Sequence, residues 1–333
     1  MHDASALVEQ PADAASADLA CPMCEYDLRG LPEPRCPECG YAFDWADLLD
    51  PTRRKHKYLF EHHPQHNIWS FCRTAVGGLV PWRFWRSLRP EQPSNVRRLI
   101  VYWLITTAGM FILPLGLFAA MCIPLHRNNA RARPGMIASA KNPQEISWIK
   151  TYYGSVDAYL EEMAPVAPSA AFFAKVWRTN WTWTVVIAAV AGACFIAMPW
   201  LTVLSLMIFQ STMRRTKVRS AHVLRCCLYS FDGAWWYGLL MAVVVAGLIY
   251  DATQSARFQK YTPYAPTVIR FTSTALLIFS AVKLLLAYHL YMRFPRPAAT
   301  VSLALAVATL AVIVILLNTP GLEIPLDSAW RAL

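Results

Sequence analysis

Apolar residues in this chain gather into five long runs, and polar residues crowd the intervals between them. Residues 99–124 and 181–213 contain no charged side chain, and 223–250, 267–292 and 298–317 are nearly as apolar. A bilayer core is crossed by about 20 helical residues, so each run predicts one span. The second run exceeds that need. Its span is placed at 181–207, with tilt, a bend at Pro199 or an interfacial end absorbing the surplus. Pro114 predicts a kink in the first span. The runs are continuous instead of alternating, which argues against a membrane barrel and leaves helices. The expected fold is an all-α integral membrane protein with five transmembrane helices.

Composition supports that reading. Hydrophobic residues make up 56% of the chain and charged ones 16%, with a mean hydropathy of +0.31; water-soluble domains carry about a quarter charged residues. A net charge of +10 would suggest nucleic acid in a soluble protein, but in a membrane protein it first reports topology. Ten Lys and Arg residues lie between 53 and 98, the loop MRRTKVRSAH follows the second run, and MRFPRP follows the fourth. Five spans put all three on one side, which the positive-inside rule makes cytoplasmic. The loop at 126–180 is also partly basic, but long loops weigh little in orientation. The expected location is the cell's inner membrane, with the N-terminus in the cytoplasm and the 319–333 tail outside. Residues 1–20 lack the basic start and apolar core of a signal peptide and read as a disordered leader.

Residues 21–44, CPMCEYDLRGLPEPRCPECGYAFD, carry the candidate chemistry. Cys21, Cys24, Cys36 and Cys39 follow C-x2-C-x11-C-x2-C. Each pair can turn inward on one tight loop, and two loops complete a tetrahedron around zinc. Pro22 and Pro37 stiffen the turns, and Gly40 supplies the backbone freedom that lets amides approach the thiolates. Two disulfides and a rubredoxin-type iron site are the alternatives. A reducing cytoplasm disfavours the first, and eleven intervening residues are short for the second. One structural Zn2+ is expected, and a closed four-cysteine site offers no open position for metal catalysis. So short a segment needs the metal to fold, whereas the spans are expected to owe nothing to it.

Residues 45–98 read as a basic, aromatic juxtamembrane linker. His56, His62, His63 and His66 surround Glu61, a possible second metal site, but Pro64 breaks helical spacing there and favours a polar linker. In PWRFWRSLRP, Trp82, Phe84 and Trp85 alternate with Arg83, Arg86 and Arg89, a mixture suited to the lipid headgroup region. A nucleic-acid stacking surface is the weaker alternative. The adjacent Cys226 and Cys227 read as small hydrophobes. Within the spans, Asp232 and Lys283 stand out. Each lies nine residues from the inner end of its helix, about 13 Å deep, so neighbouring antiparallel helices could pair them; the alternative is Lys283 snorkelling alone to the interface.

The ribbon CPxCxYxLxGL…CPECG, followed by a basic aromatic stretch and several spans, resembles a group of uncharacterised bacterial multi-pass membrane proteins with an N-terminal zinc ribbon. From about 82 to 318 the plan is similar to the Yip family (Ypt-interacting membrane proteins). The shared features are a cytoplasmic N-terminus, five spans, the pre-membrane PWRFWRSLRP and the third-span stretch HVLRCCLYSFDGAWW. Eukaryotic members of that family take part in membrane trafficking and bind small GTPases, a role that is not carried over to this chain because nothing in its sequence points to a GTPase partner. No HExxH, GxSxG or P-loop pattern occurs. The expected function is non-enzymatic: a cytoplasmic ribbon that docks a protein partner or organises an assembly. Besides the bilayer, that protein is the expected partner, with a small-solute transporter or channel as the alternative and a membrane enzyme or nucleic-acid binder behind it.

Overall fold

The computed structural model describes residues 19–50, 54–139, 142–157, 181–208, 218–252, 264–294 and 296–317. The leader up to residue 18, residues 158–180 of the loop at 126–180, residues 209–217 and 253–263, and the tail from 318 lie outside the described residues. Among those described are ten α-helices, two isolated β-bridges and no strand. Five segments are long and apolar enough to cross a membrane: Val96–Met121, Ile187–Met207, Ser220–Leu248, Ala265–Tyr291 and Pro297–Ile315. The protein is thus an all-helical membrane protein of five spans with a cysteine cluster at its N-terminal end.

Before the spans come α1 (Trp45–Leu49), a 3-10 turn (Phe60–His62), α2 (Asn67–Gly77) and α3 (Pro81–Ser87). The first long helix, α4 (Val96–Ser139), runs 44 residues through Pro114. It outlasts the expected span because the loss of apolar character at 125 ends the membrane stretch and not the helix. After α5 (Pro143–Tyr153) comes α6 (Trp181–Ile208), which contains Pro199. The third span is broken, with α7 (Ser220–Ser230) and α8 (Gly233–Ala252) flanking Phe231 and Asp232. The fourth, α9 (Ala265–Leu286), ends in a π turn over Ala287–Tyr291, where Met292 N–H bonds Ala287 O at 3.0 Å. Last is α10 (Pro297–Leu317).

The chain packs as two units. The second comprises Gly109–Gly192 and Trp235–Ser273. Its defining contact is a close backbone approach: a Cβ at Gly238 would stand 2.6 Å from Met110 Cα, and one at Gly109 would stand 2.4 Å from the Trp235 ring. Small residues bring membrane helices together in this way.

The first unit comprises the residues up to Ala108, Ala193–Ala234 and Thr274 onward. Its core is aromatic. Tyr102 of α4 lies between Phe60, Phe71 and Tyr229 at ring separations of 5.7, 5.3 and 5.1 Å, and Phe84 and Trp85 of α3 reach Tyr229 and Tyr291. The linker is therefore a folded layer. Phe84 and Trp85, expected among lipid headgroups, are buried in protein, while Trp82 is exposed and carries Arg86 4.2 Å over its ring. Pro81 opens a helix at its first position, and that helix packs Phe84 and Trp85 against the protein while Trp82, in its first turn, stays exposed at the edge of the packed face. At the start of α4, Asn95 Oδ1 accepts the Arg98 N–H at 3.1 Å, an N-cap.

Candidate metal centre

Two knuckles of one design form the ribbon. In the first, Cys21 N–H bonds Tyr26 O and Glu25 N–H bonds Cys21 O; in the second, Cys36 N–H bonds Tyr41 O and Gly40 N–H bonds Cys36 O, all at 2.7–2.9 Å. Both turns need a positive φ at the fifth residue: +72° at Gly40 and +66° at Glu25. Glycine meets that need freely, which made Gly40 legible in the sequence. Glu25 holds the same conformation against its steric preference.

The structure brings Cys21, Cys24, Cys36 and Cys39 together, all four sulfurs within 4.8 Å of one another. Cys21 lies 3.7 Å from Cys39, and Cys24 lies 3.5 Å from Cys36. Sulfurs about 2.3 Å from a tetrahedral ion stand about 3.8 Å apart, so the donor set fits one metal ion, and all four are free thiols. The hydrogen bond between Cys21 and Cys39, and then burial, pushes the Cys21 thiol far up; the same hydrogen bond draws Cys39 down to about 5 against the effect of burial. Burial raises Cys24 to about 12. Two of the sulfurs thus hold their protons tightly, and a bound metal would have to displace them.

No other group of His, Cys, Asp and Glu among the described residues is close enough to hold a metal. The histidines of the linker are instead a hydrogen-bonded latch. His62 Nδ1 accepts the His56 N–H at 2.9 Å and its Nε2 donates to Pro93 O at 3.0 Å; His56 Nε2 donates to Ser87 Oγ, and His63 Nε2 to His56 O. Burial holds His56 down to about 4, so it is neutral.

The loop between Cys21 and Cys24 is fastened to the rest of the first unit. Arg219 N–H donates to Met23 O at 2.9 Å, and the Arg219 guanidinium meets Glu25 at 2.7 Å. His222 Nε2 donates to Pro22 O at 2.7 Å, which leaves Nδ1 to accept from the Tyr291 hydroxyl at 2.6 Å. Tyr291 in turn accepts from Arg225 at 2.8 Å. Arg225 is fully buried, and all five of its N–H donors are used. Nε and one terminal nitrogen grip both oxygens of Glu61, and the rest reach Gln92 O, Pro93 O and Tyr291. Glu61 also accepts Asn95 N–H at the start of α4, where an anion is favoured by the helix dipole.

Besides Asp232 and Lys283, which stand out in the sequence, the runs 223–250 and 267–292 contain Arg225 and Arg270, and Glu61 is not part of a polar linker. A signal was present: Glu61 is the only acidic residue between 51 and 90, and an arginine inside an apolar run needs a partner.

Asp232 and Lys283 are brought together. Lys283 Nζ donates to Asp232 Oδ1 at 2.6 Å, Tyr102 donates to Oδ2 at 3.4 Å, and both charged side chains are buried. The carboxylate lies in the break between α7 and α8, and a Cβ at Gly78 would stand 2.8 Å from it and 2.9 Å from Nζ. Removing either charge strands the other. Asp232→Asn and Lys283→Met are each expected to cost about 3 kcal/mol, the lower end of the cost of leaving one partner of a buried ion pair alone, and the double change clearly less than their sum. Thermal unfolding in detergent measures this cycle, and strict additivity would contradict the pairing.

No family model, curated protein or solved structure matches the chain.

Proposed function

We propose that the chain is a non-enzymatic membrane protein whose four-cysteine ribbon binds one structural zinc ion, faces the cytoplasm and docks a protein partner beside the bilayer. The carrying observation is that the ribbon is clamped on one face and open on the other. Pro22 O and Met23 O hold it to α7, while Tyr26, Pro32, Glu33, Arg35 and Pro37, mostly between the knuckles, are exposed. A closed thiolate site stiffens that open face and leaves no coordination position for chemistry. Zinc is the ion that four thiolates in a reducing compartment favour, and the basic residues before the first span support the cytoplasmic orientation.

Crosslinking in intact membranes tests the reading. A Glu33→Lys/Arg35→Glu variant that keeps its metal is expected to lose one crosslinked partner that the unaltered protein retains. An identical crosslinking pattern would remove the docking role. One observation favours transport as the second reading: a broken span with a buried ion pair at the break, as discontinuous helices provide in carriers. Solute flux in liposomes that depends on Asp232 would establish it.

A further inference from the structure

A cavity of about 570 Å3 opens beside the first turns of α4, lined by Asn67, Asn95, Arg97 and Arg98, and also by Phe60, Val101 and Ile105. Its charge is uncompensated among the described residues. Arg98 is held in place by neutral groups: it donates to Phe60 O at 2.9 Å and Asn67 Oδ1 at 2.7 Å, and lies 4.4 Å over the Phe60 ring. Arg97 is exposed, and among the described residues no carboxylate pairs with it. The nearby Glu61 is fully engaged by Arg225 and Asn95.

Below the cations the surface turns apolar in register. Arg97, Val101 and Ile105 recur at intervals of four and share one face of α4. Val101 and Ile105 are 39% and 37% exposed on a segment apolar enough to cross a membrane. From residue 97 to 105 the helix rises about 12 Å, the distance from a headgroup phosphate into the upper acyl chains. A free phosphate would engage the arginines and leave the stripe unused. A zwitterionic headgroup would bring its own cation toward two guanidinium groups.

We propose that this cavity binds an anionic glycerophospholipid, with its phosphodiester on Arg97 and Arg98 and an acyl chain along Val101 and Ile105. The site is independent of the ribbon and of its metal.

The full-length protein in phosphatidylcholine nanodiscs, doped with spin-labelled phosphatidylglycerol or spin-labelled phosphatidylcholine, tests this. The protein is expected to immobilise phosphatidylglycerol preferentially. Arg97→Gln is expected to reduce that preference about fivefold, the contribution of one basic residue at an anionic surface, without moving the unfolding temperature. Arg73→Gln, an exposed arginine on α2, is expected to leave it unchanged. Equal immobilisation of the two lipids would overturn the proposal, as would equal losses in the two variants, which would indicate diffuse surface charge. Displacement of the labelled lipid by inorganic phosphate would also overturn it, assigning the cavity to a soluble anion.

Discussion

Replacing Arg225 with methionine is expected to destabilise the first unit by about 3–5 kcal/mol, the cost of leaving one partner of a buried ion pair alone. The substitution strands the Glu61 carboxylate and also removes the donors that satisfy Gln92 O, Pro93 O and the Tyr291 hydroxyl. Arg225→Lys is expected to fail nearly as badly. An ammonium has three donors at one point and cannot span both oxygens of Glu61 while reaching two carbonyls. Arg225→Met combined with Glu61→Gln is expected to recover part of the loss, because no ionised group is then left buried. Thermal unfolding in detergent reads all three. A loss no larger than that of Arg219→Met, whose ion pair is half-exposed, would show that the network does not hold the unit together.

Removing the metal is the second large effect. Purified protein is expected to carry about one zinc ion per chain, since only one cluster among the described residues can hold a metal. Cys36→Ser/Cys39→Ser is expected to abolish binding and unfold residues 21–44, because so short a segment has little core of its own. The sequence expectation was that the spans would then be indifferent. The hydrogen bonds from Arg219 and His222 to Met23 O and Pro22 O change that expectation. Both acceptors sit between Cys21 and Cys24, so their positions depend on the metal. Each lost bond removes about 1 kcal/mol. Hydrogen exchange in the first turn of α7 is therefore expected to accelerate by about tenfold or more, while the spans stay inserted. Iron in place of zinc, or no metal in reduced protein, would contradict the metal assignment. Unchanged exchange at 219–222 would show that the clamp carries no strength.

The segments that could be read from the chain alone are those whose physics is local. A bilayer-length apolar run must be a helix, because no other structure satisfies its backbone without water; five helices long and apolar enough to cross a membrane are present among the described residues. The four cysteines were equally legible. Their spacing of two within each pair is a property of a single turn, and Gly40 marks the conformation that the turn needs.

What only the tertiary structure decided is everything that depends on which face of an element meets which neighbour. Trp82 and Trp85 stand three residues apart in one basic-aromatic stretch and only about 60° apart around α3, yet one is exposed and the other buried, because the edge of the packed face falls between them. Asp232 and Lys283 could be placed at equal depth from residue counts, but depth does not specify azimuth, so their contact awaited the packing of α7, α8 and α9. The pairing of Glu61 with Arg225, 164 residues apart, has no local signature beyond an unpartnered charge on each side. Hydropathy along the chain decides what enters the membrane, since burial in lipid is a property of each segment taken alone. Pairing among buried charges is set by side-chain direction and helix rotation, which exist only once the helices have packed.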